Sequence, residues 1–190
     1  MIFITESEVK NLRKFSSNKI IWIIIVVVVL LIVGYILWFY IERDQENINN
    51  ILSEKVNEFK EYDISYTIDK AKKDGFYVEE TIQEGAPVEM IQFIECVWQK
   101  KNVDVSIAKK TDSGLLLSYI INHDKVIYVL DYNARDKIYK ISEYKYLTYD
   151  YDTESGIQTR YLTNDKELNG KDKLTDEQKK NCYYLCSYQI

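Results

Sequence analysis

Apolar residues in this chain fall into one long block followed by short periodic segments. Residues 20–41 are 22 consecutive positions without a charge. A helix of that length spans roughly 33 Å, enough for a bilayer core of about 30 Å. The block is rich in Val and Ile, which are weak helix formers in water. In lipid the backbone must satisfy its own polar groups, and helix is the form that does so. Trp22 lies near one end and Trp38, Phe39 and Tyr40 near the other, where interfacial aromatic belts sit. The pattern predicts a transmembrane helix over residues 20–41, with the lipid bilayer as its partner. Lys10, Arg13, Lys14 and Lys19 precede it, and only Arg43 is basic in the ten residues after it. The positive-inside rule then makes residues 1–19 a cytoplasmic tail and puts 42–190 outside the cell membrane. A cleaved signal peptide has a shorter apolar region, about 7–15 residues, ending in small side chains. This block ends in Trp, Phe and Tyr, so it reads as an uncleaved, single-pass anchor. Gly34 forms no small-xxx-small pair, so the span carries no dimerisation signal.

Beyond the span the pattern changes to short elements. Ile48, Ile51, Leu52, Val56 and Phe59 recur at spacings of three and four, a helix over 45–60 within a membrane-proximal stretch of 42–62. A second short helix is expected over 66–73, capped by Ser65 and ended by Gly75. Residues 76–82 suit a strand. Pro87 opens a further helix to about Lys100, with Met90, Ile91, Ile94, Val97 and Trp98 on its core face. Strands follow. Val103, Val105 and Ile107 alternate with Asp104, Ser106 and Ala108. Residues 115–121 and 126–130 are nearly all apolar and are joined by Asn122, His123, Asp124 and Lys125, a hairpin at the centre of a sheet. Residues 138–151 are rich in Tyr but change parity near Glu143–Lys145, which asks for a bulge or break. A turn through Gly156 leads to a strand over 157–163. Residues 164–181 read as loop with a short helix from Thr175, and 182–190 as a final strand. Helices first and then a meander of strands argue for an α+β domain over 63–190, with helices packed on one antiparallel sheet.

Charge and composition narrow the function classes. The chain carries a net charge of −5, and the part beyond the span −7, so no nucleic-acid partner is expected. Six Gly are too few for a nucleotide cradle, and one His cannot build a histidine metal cluster. His123 is expected to be a solvated turn residue. Acidic loops starting at Asp131 and Asp150 lack the Gly and Glu that a calcium-binding EF-hand needs at its sixth and twelfth positions. No metal and no cofactor is expected. No cysteine has a recognisable base partner, so the chain reads as a non-enzyme. Cys182 and Cys186 on one strand would lie about 13 Å apart, too far to bridge. A bond from Cys96 to either stays open. The 17 Tyr are either half-buried sheet residues or an exposed face for glycan or protein contact. Heavy use of Ile, Lys, Asn and Tyr with only four Ala fits an AT-rich coding bias, as in Gram-positive bacteria.

Residues 67–78, running from Thr67 through Lys72, Lys73, Asp74 and Gly75 to Val78, resemble the opening of an uncharacterised domain of Gram-positive surface lipoproteins. The helix, strand and hairpin that follow keep that family's order. Asn133, Ala134, Arg135, Asp136 and Lys137 stand where its Asn-x-Arg-Asp-Lys stretch falls. The resemblance covers about residues 66–137. The chain departs from it in lacking a lipid-attachment Cys, and Cys182 and Cys186 match the family's C-terminal cysteines only loosely. The resemblance implies a cell-surface domain and supplies no catalytic residues. The residues thus point to a non-catalytic, membrane-anchored extracellular binding or envelope-associated module, with an envelope or membrane protein as partner. The alternative is a single-span subunit of a secretion or conjugation complex. Asn133, Arg135 and Asp136 are the candidate ligand-binding residues. Arg135 is expected either to pin the strand end by pairing with Asp131 or Asp136, or to offer its guanidinium to an anion.

Overall fold

Helix α1 runs without interruption from Glu6 to Lys60. The computed structural model describes residues 6–79, 82–169 and 171–190, with side chains from residue 21 on apart from that of Gln83. The chain divides into two units, Met1–Asn50 and Ile51–Ile190. In the first, every large apolar side chain from Ile21 to Ile41 is 45–68% exposed. From Ile21 onward the helix is long and apolar enough to cross a membrane.

The second unit is α+β. It contains the last turns of α1, then α2 (Ile68–Lys73), α3 (Val88–Trp98) and α4 (Asp176–Lys180). Its strands are β1 (Tyr77–Val78), β2 (Gln83–Glu84), β3 (Val103–Thr111), β4 (Gly114–His123) and β5 (Val126–Asn133). They continue as β6 (Ile138–Tyr144), β7 (Tyr146–Asp152), β8 (Ile157–Thr163) and β9 (Tyr183–Gln189). Two sheets form, in the orders β1-β3-β4-β5-β6 and β2-β9-β8-β7. This corrects the single antiparallel sheet expected from the pattern. β1 pairs parallel with β3 and β2 parallel with β9, so both sheets are mixed.

Two short segments cause the difference. The expected strand over 76–82 is divided: β1 edges one sheet and β2 the other, while Glu80 and Thr81 lie outside the described residues. The expected break near Glu143–Lys145 is a change of sheet. Lys145 alone separates β6 from β7, and the parity of the Tyr residues inverts because the covered face changes there.

The five-stranded sheet is covered on both faces, which is why β4 and β5 read as nearly continuous apolar runs. One face meets the end of α1. Leu52, Val56 and Phe59 are buried, the Phe59 ring sits 6.0 Å from Tyr132, and Lys55 Nζ lies 5.2 Å over Tyr119. The other face carries Val105, Ile107, Ile120, Ile127 and Val129. It shares one core with Met90, Phe93 and Ile94 of α3 and with Leu147, Leu162, Leu185 and Cys186 of the second sheet. The α3 stripe therefore centres on Met90, Phe93, Ile94 and Val97. Ile91 and Trp98 lie at its margin, 38% and 57% exposed, where core positions were expected.

Helix ends follow local chemistry. Thr67, not Ser65, caps α2, accepting from Lys70 N at 3.3 Å, while Ser65 is held by the Asp63 carboxylate. Gly75, at φ +88°, ends α2 in a Schellman motif: Gly75 N reaches Lys72 O and Phe76 N reaches Ala71 O. Thr175 and Gln178 form a capping box on α4.

The sheets are joined by a polar seam along β9. Arg160 pairs with Cys186 but Tyr161 with Tyr184, so Leu185 is an extra, bulged residue. Lys109, on the inward face of β3, donates to Leu185 O at 3.1 Å and Tyr184 O at 3.3 Å. Burial lowers its pKa, and the nearby Glu79 opposes that shift. Glu79 accepts from the Tyr184 hydroxyl and from Ser187 N at 3.0 Å. Asp131 accepts from Tyr183 at 2.8 Å and from Ser118 at 2.6 Å.

The burial of Leu52, Val56 and Phe59 sets where the domain starts. At about 1.5–3 kcal/mol for each buried side chain, the three approach the whole stability of an ordinary domain, about 5–15 kcal/mol. A chain of residues 63–190 is expected to aggregate or melt without cooperativity, and residues 51–190 to unfold in one transition. Circular dichroism melts of the two distinguish these outcomes.

A second expectation concerns alkaline pH. Burial, with Glu79 adding, pushes the Cys186 thiol up to about 12 from an ordinary value near 9. The folded chain therefore keeps a proton that the unfolded chain releases. This contribution is complete below pH 9 and is lost as pH rises towards 12, by at most about 1.4 kcal/mol per pH unit. Urea midpoints measured between pH 8 and 11 should fall less steeply for Cys186→Ala than for the parent.

Candidate binding site

At the end of the five-stranded sheet where α3 stops, an open cleft of about 440 Å³ is bordered by α3, the β4–β5 hairpin and the β6–β7 corner. Val97, Val126, Ile127 and Leu147 give it apolar walls. Trp98 and Tyr146 add aromatic surface, and Asn122, Asp124 and Asn169 add polar groups. Lys100, Lys125 and Lys145 stand around it.

The backbone sets these positions. α3 ends in a second Schellman motif, with Lys100 N on Val97 O at 3.0 Å and Lys101 N on Cys96 O at 2.9 Å. The residue in the left-handed position is Lys100, at φ +58°, where glycine is usual. The β4–β5 hairpin closes with two residues, Asp124 at φ +48° and Lys125 at φ +70°, the type I′ geometry that also favours glycine. Two of the three cleft lysines are thus held at a conformational cost of about 1 kcal/mol each. Asn122 is 2% exposed and braces the hairpin by donating to Lys101 O at 2.7 Å.

Trp98 is held from behind by Arg160 of β8. The guanidinium carbon lies 5.4 Å from the Trp98 ring centre, 4.9 Å from Tyr149 and 5.9 Å from Tyr188. Arg160 is 8% exposed and also donates to the Tyr188 hydroxyl at 2.9 and 3.1 Å and to Gln158 Oε1 at 2.6 Å. Ring faces and neutral oxygens balance this buried cation. The ion pairs among the described residues are Lys55–Glu58, Lys179–Asp150 and Lys179–Asp176. Arg160 and the three cleft lysines therefore have no ion pair among them.

The residues singled out from the sequence lie elsewhere, around the β5–β6 turn. Asn133 Oδ1 accepts from Arg135 N at 2.9 Å and Asp136 N at 3.2 Å, and Lys137, at φ +55°, closes the turn. The β7–β8 turn repeats this device. Asp152 accepts from Glu154 N at 3.0 Å, and Gly156, at φ +70°, occupies the position of Lys137. The Asn133–Asp136 stretch is thus a turn former. Arg135 is exposed and pairs with neither Asp131 nor Asp136. Asp131 is occupied by Ser118 and Tyr183, which corrects the expected pinning. Arg135 borders a smaller hollow of about 290 Å³ with Tyr66 and Gly114.

Other candidates also moved. His123 ends β4 half-buried, its Nδ1 3.3 Å from Asn102 Nδ2, and is not in the turn. The three cysteines are free thiols. Tyr119, Tyr128 and Tyr132 are core residues, and Tyr139 is 47% exposed.

No protein-family model, no curated protein and no solved structure matches this chain.

Replacing Asn133 by Ala removes the acceptor of two turn N–H groups and should cost about 0.5–2 kcal/mol. Arg135→Ala should stay within about 0.5 kcal/mol of the parent, as an exposed side chain without an ion pair. Denaturant titration of both variants checks the pair of outcomes.

Proposed function

We propose that this protein is a membrane-tethered, non-catalytic binding module, with residues 1–19 cytoplasmic and the domain on the outer face of the cell membrane. The observation that carries this reading is α1 between Ile21 and Ile41, whose large apolar side chains are 45–68% exposed. An apolar surface of that length is stable in lipid and a strong aggregation hazard in water. The excess of cations before the span supports the orientation.

Binding is favoured over catalysis by the chemistry of the reactive groups. Cys186 is fully buried with its thiol held protonated, and burial likewise raises Cys182. Thiols in that state are poor nucleophiles. The single His hydrogen-bonds to Asn102, and Asp124, whose carboxylate lies within 4.8 Å of its ring, makes no hydrogen bond that would orient it as a base. The cleft beside Trp98, by contrast, offers an aromatic surface, polar groups and cations without ion pairs, in a domain whose charge is otherwise negative.

Protease added to intact protoplasts should digest residues 42–190 and leave the tail in the membrane fraction. Loss of the tail with survival of the domain would reverse the orientation. Recovery of the full chain in the soluble fraction after lysis would remove the anchor.

A further inference from the structure

The cleft beside α3 combines three features that individually are ordinary. The first is a flat ring fixed in place. Trp98 is 57% exposed, borders the cleft, and is held by the guanidinium of Arg160. Arg160 is itself fixed by Tyr149, Tyr188 and Gln158, so the indole is preorganised before a ligand arrives. The second is charge. Lys100, Lys125 and Lys145 converge on the cleft with only Asp124 among its lining residues to oppose them, in a domain, residues 51–190, of net charge −5. The third is backbone strain retained for a side chain. Lys100 and Lys125 occupy left-handed positions where glycine would relieve strain.

We propose that this cleft binds an anionic saccharide. This rests on the binding-module reading and names its ligand class. The apolar C–H face of a sugar ring lies on Trp98, its hydroxyls meet Asn169 and Asp124, and its carboxylate or phosphate is held by the lysines. An aromatic surface together with a few convergent polar groups suits a small cyclic polar ligand. The lysines select the charged form, since local positive potential in a negative domain repels cationic ligands and draws anions to this one end. A neutral sugar leaves three cations uncompensated, and an acidic peptide leaves the ring without a flat partner.

The test uses the full chain in neutral-lipid nanodiscs and isothermal titration calorimetry. The probes are hexagalacturonate, maltohexaose and hexaglutamate. Glucuronate and glucose 6-phosphate tell a carboxylate preference from a phosphate one. Hexagalacturonate or one of the charged monosaccharides should bind at least tenfold more tightly than maltohexaose and hexaglutamate, and more weakly as salt rises. Trp98→Ala, and separately the double variant Lys100→Gly with Lys125→Gly, should each weaken binding at least fivefold. The double variant should melt no lower than the parent, because glycine suits both backbone positions. Tryptophan emission in a Trp22→Phe, Trp38→Phe background reports Trp98 alone, and it should shift on binding. Equal affinity for maltohexaose overturns the role of charge, and equal affinity for hexaglutamate overturns the sugar. Binding that survives both cleft variants overturns the site, and no binding of any charged saccharide at millimolar concentration overturns the proposal. Each of these results leaves the protease test of the anchor unaffected, so the two readings fail separately.

Discussion

A lysine aimed into the space between two sheets is costly unless its donors are taken up, and the join between the sheets of this fold rests on one that is half-buried. Lys109 projects from β3 into the space between the sheets and donates to two carbonyls of β9. A bulge leaves ladder carbonyls without cross-strand partners, and these carbonyls lie at the bulge around Leu185. The acceptors at the bulge and the half-buried donor thus meet, and a donor left without them there would be a liability. Glu79 and Asp131 extend the same seam by taking the hydroxyls of Tyr184 and Tyr183. Leu185 and Cys186 add apolar contact to the shared core. Polar contacts fix the register of β9 beneath the first sheet, while apolar contacts supply the drive to bury it.

Much of this architecture is written in residue order. The β3–β4–β5 segment is legible because two covered faces make uninterrupted apolar strands and because turn residues stand between them. The parity change around Lys145 is legible as a break, but its meaning is not. A bulge within one sheet and a step between two sheets leave the same signature in the sequence. The division of residues 76–84 into edges of two sheets is hidden for a related reason. Each edge is two residues long, and no periodicity can be read from two residues. Lys109 is hidden as well. A charged residue at an inward position looks like a fault in the alternation until the facing bulge is known.

The cleft was harder to read than the fold. Trp98 fits the helical spacing of core residues, and only the packed arc of α3 shows it to lie at the margin. Lys100 and Lys125 are ordinary surface residues in one dimension, because left-handed backbone has no mark when the residue is not glycine. Arg160 carries no hint of its place behind the indole, since that depends on β8 meeting α3 across the core. The Asn133–Asp136 stretch, in contrast, draws attention because its side chains are polar and varied. Asn133 uses that polarity to fold its own turn, as Asp152 does in the next hairpin.

The parallel pairing of β2 with β9 also bears on how the chain is made. Gln83 pairs with Tyr188, so a contact made by an early segment waits for a strand about a hundred residues later. Pairings of such wide separation raise contact order and slow folding. The second sheet lacks one of its two inner strands until synthesis has passed Gln189, and Lys109, Glu79 and Asp131 lack their β9 partners until then. The core shared by the two sheets is therefore incomplete until the ninth strand has been made.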